Sequence, residues 1–280
     1  ALPGRSASTR RRGRRARRCG LRRRQGALLR GAGARPRRTR PARGRALLDG
    51  IHLVGACLAH GVEVTQLLVS DSGSANPEVA SLLQEATDIE RLQLSDGLFR
   101  EIAGVSSPAG IAAVIAIPAV PRGELAGDAI LLDAVQDAGN VGAILRTAAA
   151  AGVRNVLLGT GCAGAWTPRV LRAGQGAHFS LAIREQVDLV AALASCPATS
   201  IATVAAGGTS LYEIDLAGPV AWLVGNEGAG LSPELVAAAG VRATIPLAAG
   251  TESLNVAAAA AVCLFEASRQ RRANSGSSRT

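Results

Sequence analysis

The second half of the chain alternates short, almost continuously apolar runs with stretches of helical periodicity, a rhythm that few folds accept. Apolar runs of strand length fall at 129–135, 155–158, 180–183, 200–205, 220–224 and 242–245. Helical stretches fall at 141–151, 168–174, 187–194, 233–239 and 255–268. A strand that is apolar on both faces must be covered on both, as in a mostly parallel sheet sandwiched between helices. The expected fold class is therefore α/β. A smaller βα unit precedes it, with helix 49–60, strand 64–70, a turn at Asp71-Ser-Gly-Ser74, helix 77–87, strand 89–94, helix 96–102 and strand 111–117. Residues 119–127, rich in Pro and Gly, read as a linker between a domain at 46–118 and one at 128–270, with 271–280 expected to be disordered.

Charge divides the chain in another way. Residues 1–48 carry 18 Arg and no acid, whereas residues 49–280 carry 13 Arg against 21 acids, a net charge of −8. The +10 of the whole chain therefore belongs to its N-terminal segment. With no Val, Ile or aromatic residue, residues 1–45 cannot bury a core and are expected to be a disordered tail. Such a segment reads as a basic arm on RNA phosphates, as a solvated tail, or as GC-rich sequence translated from the wrong start or frame. All 31 basic residues are Arg, which excludes a Walker A loop and any Schiff-base lysine chemistry. No run of 18 apolar residues lacks a charge, so no membrane span is expected. Cysteines at 19, 57, 162, 196 and 263 show no metal or redox spacing. Their odd count, without a secretory signal, points to a reducing cytoplasm.

Three segments carry chemistry: Asn140-Val-Gly-Ala-Ile-Leu-Arg146, Gly225-Asn-Glu-Gly-Ala-Gly230 and Thr251-Glu-Ser-Leu-Asn-Val256. Each lies where a strand gives way to a helix, and ligand crevices in open α/β sheets form at the carboxyl ends of strands. Singly, each has a plain reading. Asn140 is placed to cap helix 141–151, which Gly152 would end; Gly225–Gly230 makes a tight turn; Ser253 and Asn255 cap the last helix. Together they point to one composite site. Two further patterns compete. Gly159-Thr-Gly-Cys-Ala-Gly164 with Glu185 spells a dinucleotide-binding fingerprint, although Trp166-Thr-Pro168 interrupts the helix that should open at the third glycine. Cys57 and His60 could be half of a metal site; with no second pair, a buried Cys and a surface His are expected instead, and no metal.

In these segments the chain resembles the SpoU/TrmH RNA ribose 2′-O-methyltransferases of the SPOUT superfamily. The matching stretches are Asn140-Val-Gly-Ala-Ile-Leu-Arg-Thr-Ala148, Leu223-Val-Gly-Asn-Glu-Gly-Ala-Gly-Leu-Ser232 and Ile245-Pro-Leu-Ala-Ala-Gly-Thr-Glu-Ser-Leu-Asn-Val256, in the family's order. Leu48-Asp-Gly-Ile-His-Leu-Val54 and Ser107-Pro-Ala-Gly-Ile111 resemble landmarks of the family's small, ribosomal-protein-like substrate domain, whereas residues 1–44 do not match. The resemblance implies a trefoil-knotted, mostly parallel sheet and S-adenosyl-L-methionine as cofactor, in a cup lined by Gly225, Ile245 and Leu254 with Asn226 and Pro246. It implies that Arg146 acts on the ribose hydroxyl and a substrate phosphate, with Asn140, Glu227, Ser253 and Asn255 orienting Arg146 and the RNA. It also implies a homodimer acting on RNA, with rRNA favoured over tRNA by the two-domain layout, and no metal. The alternatives are a tRNA 2′-O-methyltransferase, an NAD-binding oxidoreductase and an RNA-binding adaptor that has kept the fold and lost activity. Binding of S-adenosylmethionine separates the last two from an active methyltransferase.

Overall fold

The structure, a computed structural model, describes residues 44–120 and 125–277. The Arg-rich tail expected at 1–45 therefore lies outside the described residues as far as residue 43. The first sheet has four strands: β1 (Arg45–Asp49), β2 (Val64–Ser70), β3 (Arg91–Leu94) and β4 (Ile111–Ala116), in the order β1-β4-β2-β3. β4 runs antiparallel to both neighbours, and β2 and β3 are parallel. Helices α1 (Ile51–Ala59), α2 (Pro77–Glu85) and α3 (Asp96–Ala103) complete this domain. Asn76 and Ser95 cap the second and third, each accepting a hydrogen bond from a first-turn amide. β1 is an addition to the expected elements. The helix expected from residue 49 starts at Ile51 because Gly50, at φ 103°, breaks the chain between strand and helix.

The larger sheet contains β5 (Ala129–Leu132), β6 (Asn155–Leu158), β7 (Ala182–Glu185), β8 (Thr199–Thr203), β9 (Thr209–Ser210), β10 (Val220–Val224) and β11 (Val241–Thr244). Its order is β7-β6-β5-β10-β8-β11-β9, and every pairing is parallel. Its helices are α4 (Ala138–Ala151), α5 (Pro168–Gly174), α6 (Leu189–Ala194), α7 (Pro233–Ala238) and α8 (Val256–Ser277). Alternate residues of one strand feed two different cores, as the period of two requires. Ile130, Leu132, Val156, Leu158, Trp222 and Val224 join one, while Ala129, Leu131, Leu157, Ala221 and Leu223 join the other with Leu189, Leu193 and Leu235. All five residues of β10 are buried, as expected of a central strand covered on both sides. From β5 the chain steps outward through β6 and β7, and then returns to the other side of β10. The switch in direction therefore lies between β5 and β10, where a crevice is expected.

Several boundaries differ from expectation for local reasons. β5 stops at Leu132 rather than 135 because Asp133 begins a turn and Ala134 takes a left-handed φ of 52°. β7 starts at Ala182 after a single 3-10 turn, Ala177–Ser180. The two-residue β9 is too short to carry a period. The expected disorder at 271–280 gives way to helix as far as Ser277, because Arg271 clasps the far end of the sheet. Its Nη2 donates to Asp128 Oδ1 at 2.8 Å and to Gly218 O at 2.8 Å, its Nε donates to Leu216 O at 3.1 Å, and its Nη1 donates to Asp128 Oδ2. Among the described residues no helix is long and apolar enough to cross a membrane.

The packing of α4 on α5 fixes the helix that carries Asn140 and Arg146. A Cβ on Gly142 would lie 2.4 Å from Ala173 Cβ and 2.7 Å from Val170 O, so the two helices meet backbone to backbone there. Beside that contact His178 is 1% exposed, packs 5.2 Å from the Trp166 ring, and crowds Gly174, where a Cβ would lie 2.5 Å from its Cε1. Its Nε2 donates to Ala165 O at 2.9 Å, which fixes the neutral tautomer, and its buried Nδ1 has no partner. Burial lowers the pKa to about 4 from 6.5, against the opposing effect of the Ala165 hydrogen bond. Between those values the unfolded chain binds the proton and the folded chain does not. Stability is therefore complete above pH 6.5 and falls as the pH drops toward 4, by about 3 kcal/mol at the limit. Urea unfolding at pH 7 and 4.5 should show wild type losing about 2 kcal/mol more than His178→Gln, which keeps a donor without titrating. Equal losses in the two proteins would overturn the assignment.

Candidate active site

Three loops leave the carboxyl ends of β5, β10 and β11 and are joined by side-chain hydrogen bonds. Asn140 is at their centre. It does not cap α4: Asp137 does so, accepting from Asn140 N at 2.9 Å, and this leaves the Asn140 amide for other partners. Asn140 Nδ2 donates to Glu227 Oε1 at 3.0 Å, and Asn140 Oδ1 accepts from Asn255 Nδ2 at 3.0 Å. Glu227 also accepts from Asp137 N at 3.2 Å and Gln136 N at 3.3 Å. Asn255 in turn caps α8, its Oδ1 accepting from Ala257 N at 2.9 Å and Ala258 N at 3.3 Å. Burial pushes the Glu227 carboxyl upward, but the hydrogen bond from Asn140 and those from backbone amides outweigh it and hold the group below the usual glutamate range. The carboxylate therefore stays ionised and acts as an acceptor only.

The loop after β10 folds tightly on itself. A Cβ on Gly225 would lie 2.2 Å from Gly230 C and 2.3 Å from Leu231 N, so only glycine fits. Asn226 N donates to Gly230 O at 2.9 Å, and Gly230 N returns a bond to Asn226 O at 3.0 Å. The Asn226 side chain accepts from Gly228 N and Ala229 N and donates to Ala134 O at 2.8 Å. That last bond holds the left-handed Ala134 in place. Asp133 Oδ2 accepts from Ser232 N at 2.7 Å, tying the loops after β5 and β10 a second time.

The structure thus brings Asn140, Glu227 and Asn255 into one chain of hydrogen bonds and puts Gly225 and Asn226 beside them. Ile245 and Pro246 follow β11 directly, and residues 245–255 form no regular element. Within that stretch Ser253 is exposed, and Leu254 is 38% exposed despite being apolar. Arg146 is exposed on α4, about 9 Å farther along the axis than Asn140 and about 120° around it. Among the described residues neither the Arg146 nor the Ser253 side chain makes a hydrogen bond or ion pair. The hydrogen bonds of Asn140 run to Glu227 and Asn255 and not to Arg146. Sequence reasoning missed Asp133, Gln136 and Asp137. Only Asp137 left a signal, an Asx residue three positions ahead of a helical amide, which is the N-cap pattern.

The competing patterns resolve locally. Glu185 Oε1 accepts from Ala165 N at 2.8 Å and so closes the glycine loop rather than waiting for a ribose, and the helix after that loop starts only at Pro168. Cys57 is buried and His60 is exposed at the end of α1. A cavity of about 490 Å³ opens between α6 and α7, lined in part by Asp133, Thr160, Asp188, Ser232 and Glu234. Three carboxylates make it a poor host for a polyanion, and none of the ten candidate residues lines it.

The profile of the SpoU rRNA Methylase family matches residues 128–265, and that of the MRM3-like substrate binding domain matches residues 34–113. The second match begins within the Arg-rich segment, ahead of the boundary read at 46. The chain is 35% identical over 221 residues to the 23S rRNA (guanosine(2553)-2'-O)-methyltransferase RlmP of Bacillus subtilis, covering 78% of this chain and 86% of that protein. The chain belongs to the SpoU family. Solved SpoU structures agree with its fold. The methyltransferase AviRb of Streptomyces viridochromogenes, in complex with AdoMet, has a TM-score of 0.76 at 28% identity over 89% of this chain and 98% of its own. The AdoMet-bound rRNA methyltransferase of Sinorhizobium meliloti has a TM-score of 0.71 at 28% identity over 81% and 88%.

In a SpoU protein whose three loops are tied through Asn140, single losses at the two ends of that chain should not add. Glu227→Ala and Asn255→Ala are each expected to lower methyl transfer by roughly 10- to 100-fold, and the double variant by little more than the worse single. Single-turnover rates measure this. Multiplying losses would show that the two residues act independently.

Proposed function

We propose that this chain transfers a methyl group from S-adenosylmethionine to a ribose 2′-hydroxyl of RNA, with ribosomal RNA as the substrate class. The observation that carries the reading is the hydrogen-bonded chain Glu227–Asn140–Asn255, which assembles three family segments at the carboxyl edge of one sheet. The MRM3-like domain match and the 23S rRNA relative favour rRNA over tRNA. We carry the family's trefoil knot over to the seven-stranded sheet on the same grounds.

The loops fit the cofactor. Gly225 lets the loop after β10 fold back closely on itself, and Leu254 offers an exposed apolar surface. Gly225, Asn226, Ile245, Pro246 and Leu254 would hold the group. S-adenosylmethionine, once bound, supplies an electrophilic methyl on a sulfonium. The protein's own residues must position the ribose and manage one proton and one developing negative charge. Arg146 is suited to the charge and not to the proton, because a guanidinium hardly deprotonates in proteins. It holds a substrate phosphate and stabilises the alkoxide that develops as the hydroxyl gives up its proton to solvent water. Asn140, Glu227 and Asn255 keep the three loops in register around it, and Ser253 lies exposed for the RNA backbone.

A homodimer belongs to the same proposal. α8 buries Ala260, Cys263, Leu264 and Ala267, yet Phe265 remains 47% exposed and Leu254 precedes the helix with 38% exposed. A second copy is the cover proposed for them. The free thiols of Cys57, Cys162, Cys196 and Cys263 suit a reducing cytoplasm.

Arg146→Ala should cut transfer by about 100-fold or more while the affinity for S-adenosylmethionine stays within a few-fold. A tritiated-methyl assay with calorimetric titration tests both, and near-normal transfer would sink the role of Arg146. Light scattering should give twice the chain mass at micromolar concentration; a clean monomer would refute the dimer.

A further inference from the structure

The small domain meets the SpoU domain where the corner between β1 and α1 presses on α5 and the turn after it. Gly176 approaches Ala56 so closely that a Cβ there would lie 2.8 Å from Ala56 Cβ, and the rings of His60 and Phe179 are 6.0 Å apart. The junction is therefore packed. In its midst Arg172 faces Asp49 across 3.9 Å, too far for a hydrogen bond. The Asp49 side chain is 8% exposed and that of Arg172 is 35% exposed. Asp49 Oδ1 and Arg172 Nη1 are both buried without a hydrogen-bond partner. The same chain shows what a closed pair looks like: Arg271 grips Asp128 with two nitrogens and spends further donors on carbonyls.

A buried pair left open costs more than one that is closed, because each ion gives up water without a full partner. The packing on either side shows that the gap is not general looseness. Arg172 also lies in the last turn of α5, next to the Ala173 and Gly174 that touch Gly142 of α4. It therefore stands between the helix bearing Asn140 and Arg146 and the substrate domain. An acceptor of suitable charge and shape, arriving at its exposed edge, would complete it.

We propose that Arg172 is an RNA phosphate contact, aimed by Asp49, which holds the guanidinium at the domain junction without using up its donors. The proposal rests on the RNA methyltransferase reading. Asp49 acts through Arg172 and is a positioning residue; the ligand class is a phosphodiester of the strand that leads from the substrate domain to the active site. Burial raises the Asp49 carboxyl while Arg172 lowers it, the balance of an acid whose counter-ion is near but not in contact.

The test uses the full chain and in vitro transcribed large-subunit rRNA. Wild type must first bind S-adenosylmethionine and methylate the transcript; if it does neither, the methyltransferase reading fails, whatever Arg172 does. Given an active wild type, Arg172→Ala should weaken RNA binding by roughly 5- to 20-fold at low salt. It should also flatten the slope of log affinity against log salt by about 0.7 to 0.9, the signature of one lost phosphate contact. Cofactor affinity should be unchanged. A merely structural pair would change stability and leave the salt slope alone, and that result overturns the proposal. Should Arg172→Ala fail to fold, Asp49→Asn decides. It keeps the guanidinium but takes away the charge that aims it, so RNA binding should weaken by roughly 2- to 5-fold while cofactor affinity is unchanged. Unchanged or tighter RNA binding by Asp49→Asn would overturn the proposal.

Discussion

The candidate site depends on one side-chain amide. Asn140 has a donor and an acceptor, and it uses one on the loop after β10 and the other on the loop before α8. If Asn140 capped its own helix its Oδ1 would be spent on first-turn amides, so Asp137 taking that role is what frees the oxygen for Asn255. The arrangement has directional logic. Glu227 can only accept, so Asn140 must present its nitrogen there and its oxygen to Asn255. The amide orientation is thereby fixed by its neighbours, and three loops from distant parts of the sequence are held in one register.

The sheet and the site were legible in the sequence to different degrees. The mostly parallel sheet could be read because buried strands such as Val220–Val224 are apolar throughout, a pattern that needs no knowledge of partners. The three motif segments could be read because each joins a strand to a helix. What escaped was whatever depends on contacts at long range. Asn140 looked like a cap because capping is local, whereas its actual partners are 87 and 115 residues away. The two-residue β9 and the tail around Arg271 escaped for the same reason: the first is defined by its pairing with β11, and the second by a clasp with Asp128. The dinucleotide fingerprint failed for the converse reason. Its glycines and Glu185 are present, but the carboxylate is spent on closing the loop.

Electrostatics sharpens the question of how a body of net charge −8 handles a polyanion. Its acids are partly gathered elsewhere: Asp133, Asp188 and Glu234 line one cavity, and Glu227 is tied up by four donors from the loop after β5 and its own surroundings. For such a body, guanidinium contacts of the kind proposed at Arg146 and Arg172 would position a substrate more than they accelerate its approach.

The clasp between Arg271 and Asp128 has a consequence for the order of assembly. Its partners are 143 residues apart, and the bond joins the last helix to the threshold of the first strand of its domain. Asn255, at the opposite end of that helix, closes the chain of side chains at the site. A growing polypeptide can thus complete the small domain before the candidate site, whose side-chain contacts need residues as far along the chain as Asn255. During synthesis the central strands β5 and β10 wait for each other, with apolar faces uncovered. The three loops are therefore held together only once α8 has been made, and a chain that stops short of it lacks the Asn255 bond that ties them.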